Sequence, residues 1–206
     1  MTEPREIAPA ADEVVPGLWH WSISNSNIGG HISSSHALLT RDGLVLIDPV
    51  RLDDAALGAL PRPTAAVLTA RCHQRAAWRY RRELGVQVWL PEDASGADEE
   101  PDHTYADGQT VPGGLRAVRT PGPEWPHYSF LYEDEPGIVF CPDLVSSDDE
   151  GAVRFIDPAF HEDPAATRSS VERLLELPFT VLCFAHGAPI TDDPTAALRT
   201  VLARAG

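Results

Sequence analysis

Apolar runs of a few residues alternate along the chain with segments of helical spacing, and several of those runs stop abruptly at a polar residue. Val14 to Trp21 reads as an edge strand with Pro16-Gly17 turning inside it. Residues 22–35, rich in Ser, Asn and Gly, read as a loop. Ala37 to Thr40 and Leu44 to Ile47 flank Arg41-Asp42-Gly43 and predict a hairpin. Its second strand is apolar on both faces, hence buried, and ends at Asp48-Pro49. Asp53 or Asp54 caps a short helix carrying Leu57 and Leu60, which Pro61 stops. Thr64 to Leu68 is the next buried strand and gives way to polar residues at Thr69. From Gln74, the positions Ala76, Ala77, Tyr80 and Leu84 keep helical spacing, with Gly85 as the terminating residue.

Val86 to Leu90 returns as a strand, and the acidic residues of 91–109 suit an exposed excursion. The second half repeats this style. Leu115 to Arg119 leads into Thr120-Pro121-Gly122-Pro123. Tyr128 to Tyr132 and Ile138 to Cys141 form another hairpin, which ends at Pro142-Asp143. Asp163-Pro164 starts a helix that buries Val171, Leu174 and Leu175 and ends before Pro178. Phe179 to Phe184 is a buried strand ending at Ala185-His186-Gly187, and Asp193-Pro194 opens the closing helix. Asp48, Thr69, Asp143 and His186 therefore sit at the ends of apolar strands. The pattern predicts a mixed-sheet α/β sandwich with one site gathered along those ends.

Composition narrows the chemistry. The 206 residues are 43% apolar and 23% charged, enough for one sizeable core. Residues 1–12 read as a flexible leader and 13–206 as a single domain. The formal net charge is -15, and all 16 basic residues are arginine. Without lysine, P-loop and Schiff-base chemistry are excluded, and an acidic surface argues against nucleic acid. Three cysteines, an odd number set in or beside apolar runs, suggest reduced thiols and a cytoplasmic protein. Met1 to Glu13 has no apolar segment of the kind a signal peptide carries, and no apolar run approaches the roughly 18 residues of a membrane span. Neither a Gly-x-Ser-x-Gly elbow nor a Gly-x-Gly-x-x-Gly loop is present.

Cys72 and Asp143 follow strand ends, as does His186. Together they offer a thiolate ligand, or a thiol nucleophile with His186 as base and Asp143 as orienter. Inert packing of Cys72 is the plainer alternative. His31, His36, His103 and His161 are scattered and read as solvated. Trp125, Pro126 and Tyr128 offer an apolar lining near the same strand ends, or a share of the core.

The order of segments resembles the metallo-β-lactamase superfamily over nearly the whole chain. The likeness is carried by Val15-Pro16-Gly17-Leu18-Trp19, Leu44-Val45-Leu46-Ile47-Asp48-Pro49, Val67-Leu68-Thr69, Asp107-Gly108, Thr120-Pro121-Gly122, Pro142-Asp143-Leu144 and Ala185-His186-Gly187-Ala188-Pro189. The resemblance implies an αββα sandwich of two mixed sheets. It also implies a pair of metal ions, commonly zinc, that activate water for hydrolysis. The family's His-x-His-x-Asp-His ligands fall here on Ala70, Cys72, Gln74 and Arg75, and the histidine after Thr-Pro-Gly falls on Pro123. Asp143 and His186 keep the ligand type. His73 is one residue out of register and is expected to point away; His127 is expected to make a polar contact at the pocket wall, and Asp48 to anchor the loop corner.

Ala70 and Pro123 carry no donor, and an arginine cation repels a dication. The sequence therefore predicts a degraded dinuclear site in which Arg75, or failing that Arg71, pairs with Asp143. The function expected is non-catalytic binding of a small molecule or protein, with no cofactor. The alternative is a hydrolase of esters, thioesters or amides with one residual metal, zinc, on Cys72, Asp143 and His186. The pocket candidates are Cys72, Arg75, His127, Asp143 and His186.

Overall fold

The computed structural model describes residues 3–148 and 150–204. Its first sheet has seven strands in chain order, β1 (Asp12–Val15), β2 (Leu18–Asn25), β3 (His31–Thr40), β4 (Gly43–Ile47), β5 (Pro63–Val67), β6 (Gln87–Pro91) and β7 (His103–Tyr105). The first four pair antiparallel. From β4 onward the pairing turns parallel, because the helices α1 (Asp54–Ala59) and α2 (Ala77–Leu84) return the chain across one face. The second sheet starts at β8 (Thr110–Val111), β9 (Leu115–Arg119), β10 (Tyr128–Tyr132) and β11 (Ile138–Cys141). After a small hairpin, β12 (Val145–Ser147) with β13 (Val153–Phe155), and the helix α3 (Pro164–Leu174), the strand β14 (Val181–Phe184) adds parallel to β11. The helix α4 (Pro194–Arg204) closes the described chain.

Strand alternation divides the core. In β4, Val45 and Ile47 face the second sheet and pack with Phe130, Phe140 and Cys183, while Leu44 and Leu46 face α1 and α2 with Trp78 and Tyr80. The outer face of the second sheet, with Leu131, Val139 and Leu182, packs on α3 and α4. The result is the helix–sheet–sheet–helix sandwich that the resemblance implies. Its helix starts follow the expected chemistry: Asp53 accepts from Ala55 N, and Asp163 from Ala165 N and Ala166 N.

Two expectations fail. Residues 22–35 are mostly not a loop: they extend β2 and β3 into a long hairpin, with Asn25 opposite His31. Ser33, Ser34 and Ser35 are buried because partners elsewhere in the fold satisfy their hydroxyls, including Asn25, Gly187 O and Asp48 O. Of the leader expected at 1–12, residues 1 and 2 lie outside the described residues. The remainder is pinned: Ala8 is buried and exchanges backbone hydrogen bonds around Leu52, and Glu3 pairs with Arg79 at 2.5 Å.

The parallel pairs bring the chemistry to one edge. Ile47 lies beside Val67 and Cys141 beside Phe184, so Asp48, Thr69, Asp143 and His186 leave their strands at the same end of the sandwich. Ser34 N donates to Ala185 O at 2.7 Å and Tyr128 N to Thr69 O at 3.0 Å, tying the two sheets together there. Among the described residues, no helix is long and apolar enough to cross a membrane.

Candidate metal centre

After β5 the chain passes through Ala70 into a tight 3-10 turn at Arg71–His73. On an extended strand, neighbouring side chains would face opposite ways. The turn rotates each residue by about 120°, and both Cys72 and His73 reach the Asp143 carboxylate. Cys72 Sγ lies 3.7 Å from Asp143 Oδ2, and His73 Nε2 lies 3.2 Å from the same oxygen. The expectation that His73 points away is therefore wrong; it is the buried centre of the cluster.

Asp48 orients that imidazole. Its carboxylate accepts from Thr69 N at 2.8 Å and Thr69 Oγ1 at 2.6 Å, and Oδ2 lies 3.1 Å from His73 Nδ1. With Nδ1 donating to Asp48, Nε2 is the nitrogen that faces Asp143. A carboxylate that fixes the tautomer of a histidine in this way is the usual outer shell of a metal-binding imidazole.

His186 approaches from the other side. Its Nδ1 donates to Ile32 O at 2.5 Å, and Nε2 lies 2.9 Å from Asp143 Oδ1. That oxygen is buried without a hydrogen-bond partner, and with Nδ1 donating, Nε2 is the unprotonated nitrogen that faces it. His127 donates from Nδ1 to Thr120 O at 2.6 Å and accepts from Asp143 N at Nε2, 3.3 Å away. Both of its nitrogens are committed, and it forms the wall of the site. His161, read from sequence as solvated, supports the same segment: Nε2 lies 3.1 Å from Asp143 O. No sequence signal marks His161, since only the fold brings the segment before α3 beside Asp143.

Arg75 does not pair with Asp143. Its guanidinium donates to three main-chain carbonyls, Ser34 O at 2.5 Å, Asp48 O at 2.9 Å and Ala185 O at 3.3 Å, and so staples the ends of β4 and β14 to the body of β3. These contacts hold it buried at a left-handed φ of 43°. Arg71 instead approaches Glu124 at 3.5 Å, and Glu124 accepts from Cys72 N.

Burial alone would raise the pKa of Asp143, but His73 and His186 hold it well below the usual carboxylate range. Asp48 is lowered too, chiefly by His73 and Arg75 against its burial. Burial works to lower His73, and the charges of Asp143 and Asp48 reverse this and raise it well above an ordinary imidazole. Burial, with Asp143 and Glu124, pushes the Cys72 thiol up to about 12 against the pull of His73. Without a bound cation Cys72 is a protonated thiol and a poor nucleophile.

The residues present do not fit two metal ions. Ala70 and Pro123 offer no donor. The Gln74 amide is spent on Trp78 Nε1, Asp98 N and Arg71 O, and Arg75 places a cation beside the cluster. They do fit one. Cys72 Sγ, His73 Nε2 and a carboxylate oxygen of Asp143 lie within 4.8 Å of one another. Ordinary zinc bond lengths in a tetrahedron predict a sulfur–oxygen edge of about 3.5 Å and a nitrogen–oxygen edge of about 3.3 Å. The observed edges are 3.7 and 3.2 Å.

The chain matches no family model and no curated protein at the level of sequence. Its fold matches solved structures across nearly its full length. It is similar to the metallo-β-lactamase of Erythrobacter litoralis (TM-score 0.67, 16% identity, 95% of this chain and 92% of that one). It is likewise similar to the metallo-β-lactamase FIM-1 of Pseudomonas aeruginosa in its mono-zinc form (TM-score 0.70, 14% identity, 99% of both chains). A third, a protein in a di-iron-bound form, aligns at TM-score 0.64 and 23% identity over 82% of this chain and 93% of its own. The chain has the metallo-β-lactamase fold.

Proposed function

We propose that this chain uses its strand-end cluster to hold a single divalent transition-metal ion, on Cys72 Sγ, His73 Nε2 and Asp143, with His186 beside the second oxygen of that carboxylate. One observation carries the reading. Both oxygens of Asp143 face imidazole nitrogens whose opposite nitrogens already donate, and Oδ1 is buried without a hydrogen bond. A lone pair facing a carboxylate oxygen calls for a cation between them. A thiolate, an imidazole and one carboxylate suit zinc. When bound with an open position, such an ion acts as a Lewis acid and lowers the pKa of a coordinated water.

The chain's own residues prepare the site. Asp48 and Thr69 hold the His73 ring, and His127 and His161 hold the Asp143 backbone. Asp143 and His186 keep 19% and 21% of their side chains exposed, so a ligand can reach them from solvent. Trp125 (49% exposed) and Phe160 (73% exposed) adjoin Glu124 and His161, which touch Cys72 N and Asp143 O. Phe160 offers an exposed apolar surface for the acyl or aryl part of an ester, thioester or amide, while the Trp125 ring carries the Arg119 guanidinium 3.7 Å from its centroid.

A second reading is a metal-free, non-catalytic protein that binds a small molecule or a partner. The raised pKa of His73 favours it, since an imidazolium there neutralises Asp143 without an ion. Metal analysis of protein purified without chelators separates the two. About one equivalent of zinc or iron per chain, lost in both His73→Ala and Asp143→Asn, is expected. Less than about a tenth of an equivalent, with no thermal shift on adding zinc, would assign the cluster to the metal-free role. About two equivalents would overturn both readings.

A further inference from the structure

Behind the cluster, between the sheets, lies a cavity of about 10 Å³ lined by Ser34, His36, Asp48, Thr69, Phe140 and Cys183 among others. That is about the space one water occupies; the lining is mostly apolar, and Ser34, His36, Asp48 and Thr69 supply the polar groups a water there would need. His36 is 3% exposed, and its Nε2 is buried with no hydrogen-bond partner. The ring packs between His20, with centroids 5.2 Å apart, and Phe140, edge-on at 5.5 Å. Asp48 has accepting capacity to spare: Oδ1 takes Thr69 N, Oδ2 takes Thr69 Oγ1 and His73 Nδ1, and a carboxylate has about four lone-pair sites.

We propose that this cavity is a binding site for one internal water, which bridges His36 Nε2 to the Asp48 carboxylate. The water donates one hydrogen to each, so His36 accepts at Nε2. A continuous hydrogen-bonded chain then runs from His36 through the water and Asp48 to His73, extending the support of the strand-end imidazole into the core. The facing charged and titratable groups agree with this. Burial, His20 and Arg75 all push His36 well below an ordinary imidazole pKa, which keeps the ring neutral with a free lone pair.

The test is a crystal structure of the purified protein near 1.2 Å, with nitrogen-15 spectra of its histidines. An ordered oxygen within about 3.2 Å of both His36 Nε2 and an Asp48 oxygen is expected, with His36 in the tautomer protonated at Nδ1. His36→Leu should abolish that density peak and shift the ring signals of His73, whereas His36→Gln, whose amide oxygen can still accept, should retain the peak. A dry cavity would overturn the proposal. So would a water that does not touch Asp48, a His36 Nε2 bonded directly to a protein group, or His73 signals unmoved in His36→Leu. The wild-type measurements stand even where a variant fails to fold.

Discussion

The two sheets end in acids that live under opposite conditions. At the end of β4, Asp48 is 4% exposed and accepts from Thr69 N, Thr69 Oγ1 and His73 Nδ1, while Arg75 holds its carbonyl. Beyond β11, Asp143 is partly exposed, one of its oxygens has no hydrogen bond, and a thiol and two imidazoles crowd around it. The first acid holds scaffold groups through both oxygens; the second leaves one whole oxygen without a hydrogen bond. A buried polar network is stabilising only when it is complete, so the incomplete end is where a ligand belongs.

Removing each acid should therefore have a different signature. Asp143→Asn should lower zinc affinity by more than about a hundredfold in a competition titration while the protein still folds in chelator. Retained affinity would place the metal elsewhere. Asp48→Ala should instead be chiefly a folding defect, costing about 3–5 kcal/mol in chemical denaturation because it strands a buried imidazole and two donors. Arg75→Met should cost about 3 kcal/mol, since it removes three charged hydrogen bonds that tie the two sheets together. A cost below about 0.5 kcal/mol would deny the staple.

The comparison also predicts a pH window for the chelated protein. His73 is raised in the fold, so its contribution is full below the unfolded value of about 6.5 and lost as pH rises through the folded pKa. Asp48 and Asp143 are lowered, so theirs is present above the unfolded value of about 4 and lost as pH falls through their folded values. The lowered pKa values of His20, His36, His127 and His161 take stability away as pH falls below about 6.5, so denaturation midpoints should peak near the upper edge of this window, about pH 6.5; a curve still rising towards pH 8 would contradict the assignment. The smallest effect belongs to the softest donor. Cys72→Ser should weaken metal by about tenfold and remove the sulfur-to-metal charge-transfer band of the cobalt-substituted protein. An unchanged spectrum would take the sulfur out of the ligand set.

Much of the frame was legible before any coordinates. The runs Leu44–Ile47, Thr64–Leu68, Ile138–Cys141 and Phe179–Phe184 announce buried strands because they are apolar on both faces. The polar residues after them mark a shared edge once those strands pair in parallel. The starts at Asp163 and Asp193 were equally plain, because Asp-Pro both caps and opens a helix, whereas Asp53 and Asp54 both fitted the first cap and the structure chose Asp53. Ser33 to Ser35 misled because composition cannot show that distant carbonyls will satisfy a run of hydroxyls. His73 misled because counting alternate residues assumes an extended chain, and the 3-10 turn at Arg71–His73 breaks that count.

The sequence alone determined the buried strands and which polar residues stand at their ends, because these follow from local hydrophobic period; the layering was what the resemblance implied, and the strand order came with the structure. The tertiary structure decided which of those residues meet. It turned His73 inward against Asp143 and sent Arg75 to the backbone. Contacts between residues 70 or more positions apart depend on backbone angles and on the partners each buried group must find, and no local pattern encodes either.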